Sequence, residues 1–244
     1  YVNYFGLCQR NVDRLAKVIP RDRLIIDCSH ALFAEHLDVF ATIYSPRKFV
    51  GLPDGGLLRA SPLLRVTLPT EEDRGSIERM RHLLVRMAYS AREGYADFEK
   101  ARNSLADSYP LAMSRLTQRL MKSIQWEKVI QRRRNNYMFM AQLMDVINNM
   151  SWPLGDNDVP LCYPLTLRGC DASEIRKELA THNVFSATYW PDALSRIKAD
   201  SIETVFINET IFLPIDQRME IPQVKEVGKL ILKLAGKSSY RMEC

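Results

Sequence analysis

The sequence predicts an α/β fold in two unequal regions, on three observations. Short β-prone runs alternate with a helical segment over residues 1–70. Two long stretches of helical periodicity follow, and strands mixed with short helices return after Asn148. At 244 residues the chain suits one or two domains and can bury roughly 70% of its unfolded surface. The expected division places residues 1–125 in a large, mostly parallel-sheet domain with connecting helices. Residues 126–244 form a smaller α/β domain.

Taken in order, Val2 to Phe5 reads as a strand and Val12 to Val18 as a helix. Leu24 to Asp27, Val39 to Tyr44 and Leu57 to Arg59 read as further strands. Apolar residues then recur at helical spacing from Gly75 to about Leu105 and from Leu111 to Ile147. The stripe Ile77, Met80, Leu83, Leu84 and Met87 implies a core or dimer contact, and Met138, Met140 and Met144 imply packing. Trp152 to Asp158 is rich in turn formers. Leu161 to Leu167 is a strand, and Ala172 to Thr181 a helix capped by Asp171, with Glu174 placed for a capping box. Strands at Phe185 to Trp190 and Phe206 to Leu213 and a helix from Gln223 to Leu234 complete the region.

Composition narrows the function classes. With 46% hydrophobic and 26% charged residues the chain is ordinary for a globular protein, and no apolar run approaches the ~18 residues of a membrane span. Its five cysteines, at 8, 28, 162, 170 and 244, are scattered and form no Cys-x-x-Cys pair, which argues for reduced thiols in a cytoplasm and against disulfides or zinc. The net charge of +5 is spread out except at Arg132, Arg133 and Arg134. Without interleaved aromatics or a nucleic-acid motif, that run reads as a helix surface, so neither nucleic acid nor membrane is an expected partner. Phosphates of a nucleotide-linked sugar are an alternative for it.

The chemistry concentrates between residues 24 and 56. Leu24-Ile25-Ile26 ends in Asp27, and 21 residues later comes Lys48, with Ser45 and Arg47 before it and Gly51 and Gly55-Gly56 after it. A carboxylate closing a β-prone run lies at the C-terminal end of a parallel strand, where open α/β sheets bind ligands. These residue types suit pyridoxal 5'-phosphate (PLP). Its pyridine nitrogen stays protonated beside a carboxylate, its aldehyde needs an amine that burial has made nucleophilic, and its phosphate needs cationic and hydroxyl donors. Asp27 fits the first need, Lys48 the second, and Arg47 with Ser45 the third. His30 is placed to donate to the ring oxygen. The plainer alternatives are a helix cap or turn residue at Asp27, a solvated basic turn at Arg47-Lys48, and a hairpin turn at Pro53 to Gly56.

The segments Ile25 to Leu32 and Tyr44 to Lys48 through Gly55-Gly56 resemble the PLP region of the DegT/DnrJ/StrS-type sugar aminotransferases, which have fold-type I. Arg132 to Tyr137 resembles the helix that opens that family's small domain. Val159 to Pro164, Ser186 to Trp190 and Leu213 to Asp216 resemble later parts of its pattern. The resemblance implies that Lys48 is the Schiff-base lysine and proton shuttle, Asp27 the pyridine-nitrogen partner and His30 the ring-oxygen contact. Many family members place a phosphate-binding serine five residues before the lysine. This chain has Ile43 there, with Ser45 at minus three. Asn3 stands where the family has a strand-end histidine. Tyr189 and Trp190 read as core or wall aromatics, and the resemblance makes them candidates for substrate contacts.

The resemblance also implies an N-terminal part of the large domain, with further phosphate and ring contacts, that is absent from a sequence starting at Tyr1. The expected activity is amino transfer from an amino-acid donor to a nucleotide-linked keto sugar by a cytoplasmic homodimer. A non-catalytic relative with a regulatory or assembly role is the alternative. Dehydration on a sugar is less expected, because the family's dehydratases typically replace the lysine that Lys48 retains.

Overall fold

A computed structural model describes residues 1–106 and 109–239, leaving Cys244 outside the described residues. It contains two compact units, Tyr1–Trp126 with Gly155–Val159, and Glu127–Leu154 with the chain from Pro160 onward. The first unit is built on a sheet of β1 (Ile25–Cys28), β2 (Ala41–Tyr44) and β3 (Leu57–Ala60), in that order. β1 and β2 run parallel with Asp27 opposite Ile43, and β3 joins β2 antiparallel. Side chains alternate across β1, so Ile26 and Cys28 are buried with Leu24, Ala31, Val39 and Val12 of α1 (Gln9–Val18). Burying each of the larger aliphatic side chains stabilises the unit by about 1.5–3 kcal/mol. The opposite face carries Asp27 and the exposed apolar residues Ile25, Ile43 and Leu58.

The strand expected at Val2 to Phe5 contracts to a single parallel bridge between Val2 and Asp27. Tyr1 O accepts from Asp27 N, and Asn3 N donates to Asp27 O, but Tyr4–Gly6 then tightens into a 3-10 turn. The turn puts Phe5 at φ 56° and Gly6 at φ 70°, which ends the extension. A side chain at Gly6 would also meet Val159 O at 2.6 Å, so this backbone approach requires glycine.

Four helices follow in the expected helical stretches: α2 (Ser76–Ala88), α3 (Tyr95–Ala106), α4 (Arg115–Ser123) and α5 (Trp126–Met144). The second stretch starts later than its periodicity suggested. Ala112 bridges to Glu72 in extended form, and the Ser114 hydroxyl caps α4 by accepting from Thr117 N at 3.1 Å. The α2 stripe is divided: Met80 and Leu83 are half-buried, while Ile77, Leu84 and Met87 are exposed. The helix buries Ser76 and Arg79, which bond to Asp54 and Asp73.

The second unit holds an antiparallel pair, β4 (Tyr163–Thr166) and β5 (Thr210–Leu213), with α5, α6 (Ala172–Thr181) and α8 (Ile221–Ser239). Tyr137, Met140, Met144, Leu165, Leu179 and Ile211 fill its core. Met138 turns outward, unlike the other two methionines of its set. Asp171 caps α6 by accepting from Ser173 N at 2.7 Å. Glu174 bonds Lys177 and so closes no capping box.

Two strands in this unit differ from expectation. Residues Phe206 to Glu209 are helical because Ser201 caps α7 (Ile202–Glu209), and extension begins only at Thr210, whose hydroxyl pairs with that of Thr166. From Phe185 to Trp190 only Ala187 bridges, to Phe212. The Ser186 hydroxyl both accepts from Phe212 N and donates to Phe212 O, replacing main-chain pairing, and Trp190 is left-handed at φ 51°.

The arginine run is not one basic surface. Arg133 is 2% exposed and donates to the carbonyls of Pro160 and Leu161 and to Gln217 Oε1, while Arg132 forms an ion pair with Glu220. Arg133→Ala removes the guanidinium bonds to three acceptors, of which Pro160 O is buried. It is expected to cost about 2–4 kcal/mol in urea denaturation, while Arg132→Ala costs under about 1 kcal/mol. Equal effects of the two would contradict this assignment.

Candidate functional site

The register of β1 against β2 brings the candidate residues together. Both strands end at the pair Cys28 and Tyr44, and the chain then turns through the 3-10 helix Pro46–Lys48, with Ser45 at its N-cap. Asp27 and Lys48 therefore meet at the carboxyl ends of adjacent parallel strands. Pro46 and Phe49 are buried on either side of the exposed Arg47 and Lys48, and Phe49 packs edge-on against Phe33 at 5.6 Å. Two buried anchors thus fix a turn whose cationic tips stay accessible.

The glycine loop after Lys48 is anchored, not a free hairpin. Asp54 is buried and accepts from Ser114 N and Ser114 Oγ at 3.3 and 3.0 Å and from the Ser76 hydroxyl. Gly55 at φ 94° lets the chain pass Met113, whose Cε would lie 2.9 Å from an added Cβ. A cavity of about 210 Å³ lies beside this loop, lined in part by Asp54, Gly55, Asp73 and Met113. Lys48 itself is exposed in the turn that follows β2, the middle strand of the sheet. Asp54 was missed as an anchor, because Pro-Asp-Gly-Gly reads locally as a turn and its serine partners are distant in sequence.

Electrostatics join four of the five candidates. Crowding by protein atoms lowers the Lys48 pKa below its ordinary value; the Asp27 carboxylate partly restores it and the Arg47 guanidinium depresses it further. Asp27 Oδ1 accepts from Ser29 N at 2.8 Å, while Oδ2 has no hydrogen bond among the described residues. His30 is buried and stacks on Phe5 at 5.3 Å. Burial, aided by Lys48 and opposed by Asp27, lowers its pKa to about 4, so the imidazole is neutral at pH 7. Ser45 accepts Lys48 N through its carbonyl at 3.2 Å, and its hydroxyl makes no hydrogen bond within the described chain. Asn3 is fully buried, its side chain bonded to Cys8 N and Gln9. The four described cysteines are free thiols. Burial, with Asp27 nearby, raises Cys28 to about 12.

No family model matches the chain, and no curated protein matches it. Solved structures do. Spr1654 of Streptococcus pneumoniae in its PMP-form, assigned as a sugar aminotransferase, superposes with TM-score 0.63 at 13% identity, covering 100% of this chain and 68% of that protein. Helicobacter pylori PseC, an aminotransferase of pseudoaminic acid biosynthesis, gives 0.53 at 16% identity over 97% of this chain and 66% of its own. A DegT DnrJ EryC1 StrS aminotransferase from Brucella abortus gives 0.57 at 13% identity over 96% and 63%. The chain thus has the fold of these aminotransferases and spans roughly 60–70% of their length. Among the described residues no helix is long and apolar enough to cross a membrane.

The buried neutral His30 makes stability depend on pH. Its folded pKa lies below the unfolded value of 6.5, so the unfolded chain binds the proton first, and stability falls as pH drops from about 6.5 toward 4. The full loss is at most about 3 kcal/mol. His30→Asn should flatten that part of the profile in urea denaturation at stepped pH; an unchanged slope would show that His30 is already protonated or exposed.

Proposed function

We propose that this chain carries the cofactor-binding core of a PLP-dependent aminotransferase of the DegT/DnrJ/StrS family, moving an amino group from an amino-acid donor to a nucleotide-linked keto sugar. The working form is a cytoplasmic homodimer, and the exposed apolar stripe of α2 suits a subunit contact. One observation carries the reading: an amine of lowered pKa beside a carboxylate, with a neutral imidazole, at the ends of two parallel strands. The likeness of fold to sugar aminotransferases supports it.

The residues fit PLP. When bound, the group supplies an electron sink for the carbon that loses and regains a proton. Lys48 would hold the cofactor's aldehyde, its lowered pKa favouring the free amine. The same amine would move the substrate proton, as base and then as acid. Asp27, with one oxygen held by Ser29 N, would pair with the protonated ring nitrogen. His30, neutral and held against Phe5, would donate to the ring oxygen. Arg47 and the Ser45 hydroxyl would hold the phosphate.

Borohydride reduction with PLP, followed by peptide mass mapping, tests the assignment. The expected label sits on Lys48 and is lost in Lys48→Ala, and Asp27→Asn weakens cofactor affinity by on the order of tenfold or more. Label confined to other lysines, or amino transfer retained by Lys48→Ala, would overturn it.

A further inference from the structure

We propose that the second unit holds a binding site for a free acidic α-amino acid, where one face of α5 meets the start of α8. Lys128, Arg132 and Asn136 follow one another at intervals of four and so form a stripe along α5. With Glu220 and Ile221 at the start of α8, they line a cavity of about 420 Å³. Shared bonds hold the two walls together. Arg132 Nη1 and Asn136 Nδ2 both donate to Met219 O, at 3.4 and 3.0 Å, and Arg132 pairs with Glu220. The site uses none of the residues gathered around Lys48.

An unanswered acceptor belongs to this cavity. Asn136 is fully buried, and its Nδ2 faces three carbonyls, those of Asp216, Met219 and Ile215, at 3.0, 3.0 and 3.4 Å. Only an amide nitrogen suits that position, so Oδ1 is turned away from it and meets no donor among the described residues. A buried acceptor in that state is costly, and a ligand N–H relieves it. Donors are also left over. Ile221 N–H opens α8 and has no acceptor among the described residues, while Gln223 N and Val224 N are taken by Glu220 O at 3.0 and 3.1 Å. No acidic side chain offsets the positive end of α8 in its first turn. Lys128 is exposed and makes no ion pair among the described residues.

Two kinds of recognition therefore share one cavity. Ile221 N–H and the guanidinium of Arg132 suit a carboxylate, and Asn136 Oδ1 with the Glu220 carboxylate suits an ammonium. An α-amino acid carries both groups on one carbon. Arg132 and Glu220 cancel in charge, so Lys128 leaves one positive charge for a second carboxylate on the ligand's side chain. A dicarboxylic amino acid meets all three demands. Inorganic phosphate and a neutral sugar each lack the ammonium.

Isothermal titration calorimetry of the full chain with L-glutamate, without added PLP, tests the site. Glutarate lacks the ammonium and L-glutamine lacks the second carboxylate; each should bind on the order of tenfold more weakly than glutamate. Lys128→Gln, an exposed change that spares the fold, should erase the preference for glutamate over glutamine. Glu220→Gln should narrow the preference for glutamate over glutarate. Lys48→Ala should bind glutamate as the unaltered chain does, so this result and the labelling of Lys48 by PLP stand or fall separately. No binding of glutamate, equal binding of the three ligands, or binding lost in Lys48→Ala would overturn the proposal.

Discussion

The parallel pairing of β1 with β2 is the constraint on which the site depends. Its register sets Asp27 against Ile43 and makes both strands finish together, so the turn bearing Arg47 and Lys48 starts where the carboxylate sits. Side chains in a strand alternate faces, so a slip of one residue would drive Asp27 into the core lined by Ile26 and Cys28. The buried set of Val12, Leu24, Ile26 and Cys28 opposes that slip through its apolar area. Packing thus fixes the position of a charge that packing itself does not use.

Around that pairing, burial is graded. Phe49 and Pro46 are inside while Lys48 between them is accessible, and His30 is fully enclosed one strand away. The consequence is a division of protonation states at neutral pH: a neutral imidazole, and an amine whose cation is less favoured than in water. The Asp54 network with Ser76 and Ser114 ties the loop after Lys48 to the starts of α2 and α4. Displacement of either helix start would therefore move the lysine turn. The loop also lies against α2, where the Leu83 side chain comes within 3.8 Å of the Gly51 Cβ position.

Much of this was legible in the sequence because it is local. The run Leu24 to Asp27, the turn at Pro46, the helix starting after Asp171 and the periodicity of α5 each lie within a few residues of their cause. What escaped depends on partners far along the chain. Arg133 looked like part of a basic surface, because its acceptors at Pro160, Leu161 and Gln217 are invisible to periodicity. Ser186 supplanted a strand through one hydroxyl bonded to Phe212, and Ser201 converted the start of an apparent strand into a helix. The α2 stripe has helical spacing whether it faces a core or the outside, and spacing alone does not separate the two.

The fold lowers the pKa of the accessible Lys48 amine below that of an ordinary surface lysine and sets it against the Asp27 carboxylate. The amine's titration can be followed by NMR of reductively ¹³C-methylated protein, with the Lys48 resonance identified by its absence in Lys48→Arg. The account predicts a midpoint below that of the other lysines, falling further in Asp27→Asn, where the stabilising carboxylate is lost. A midpoint equal to that of the exposed lysines and indifferent to Asp27→Asn would contradict it.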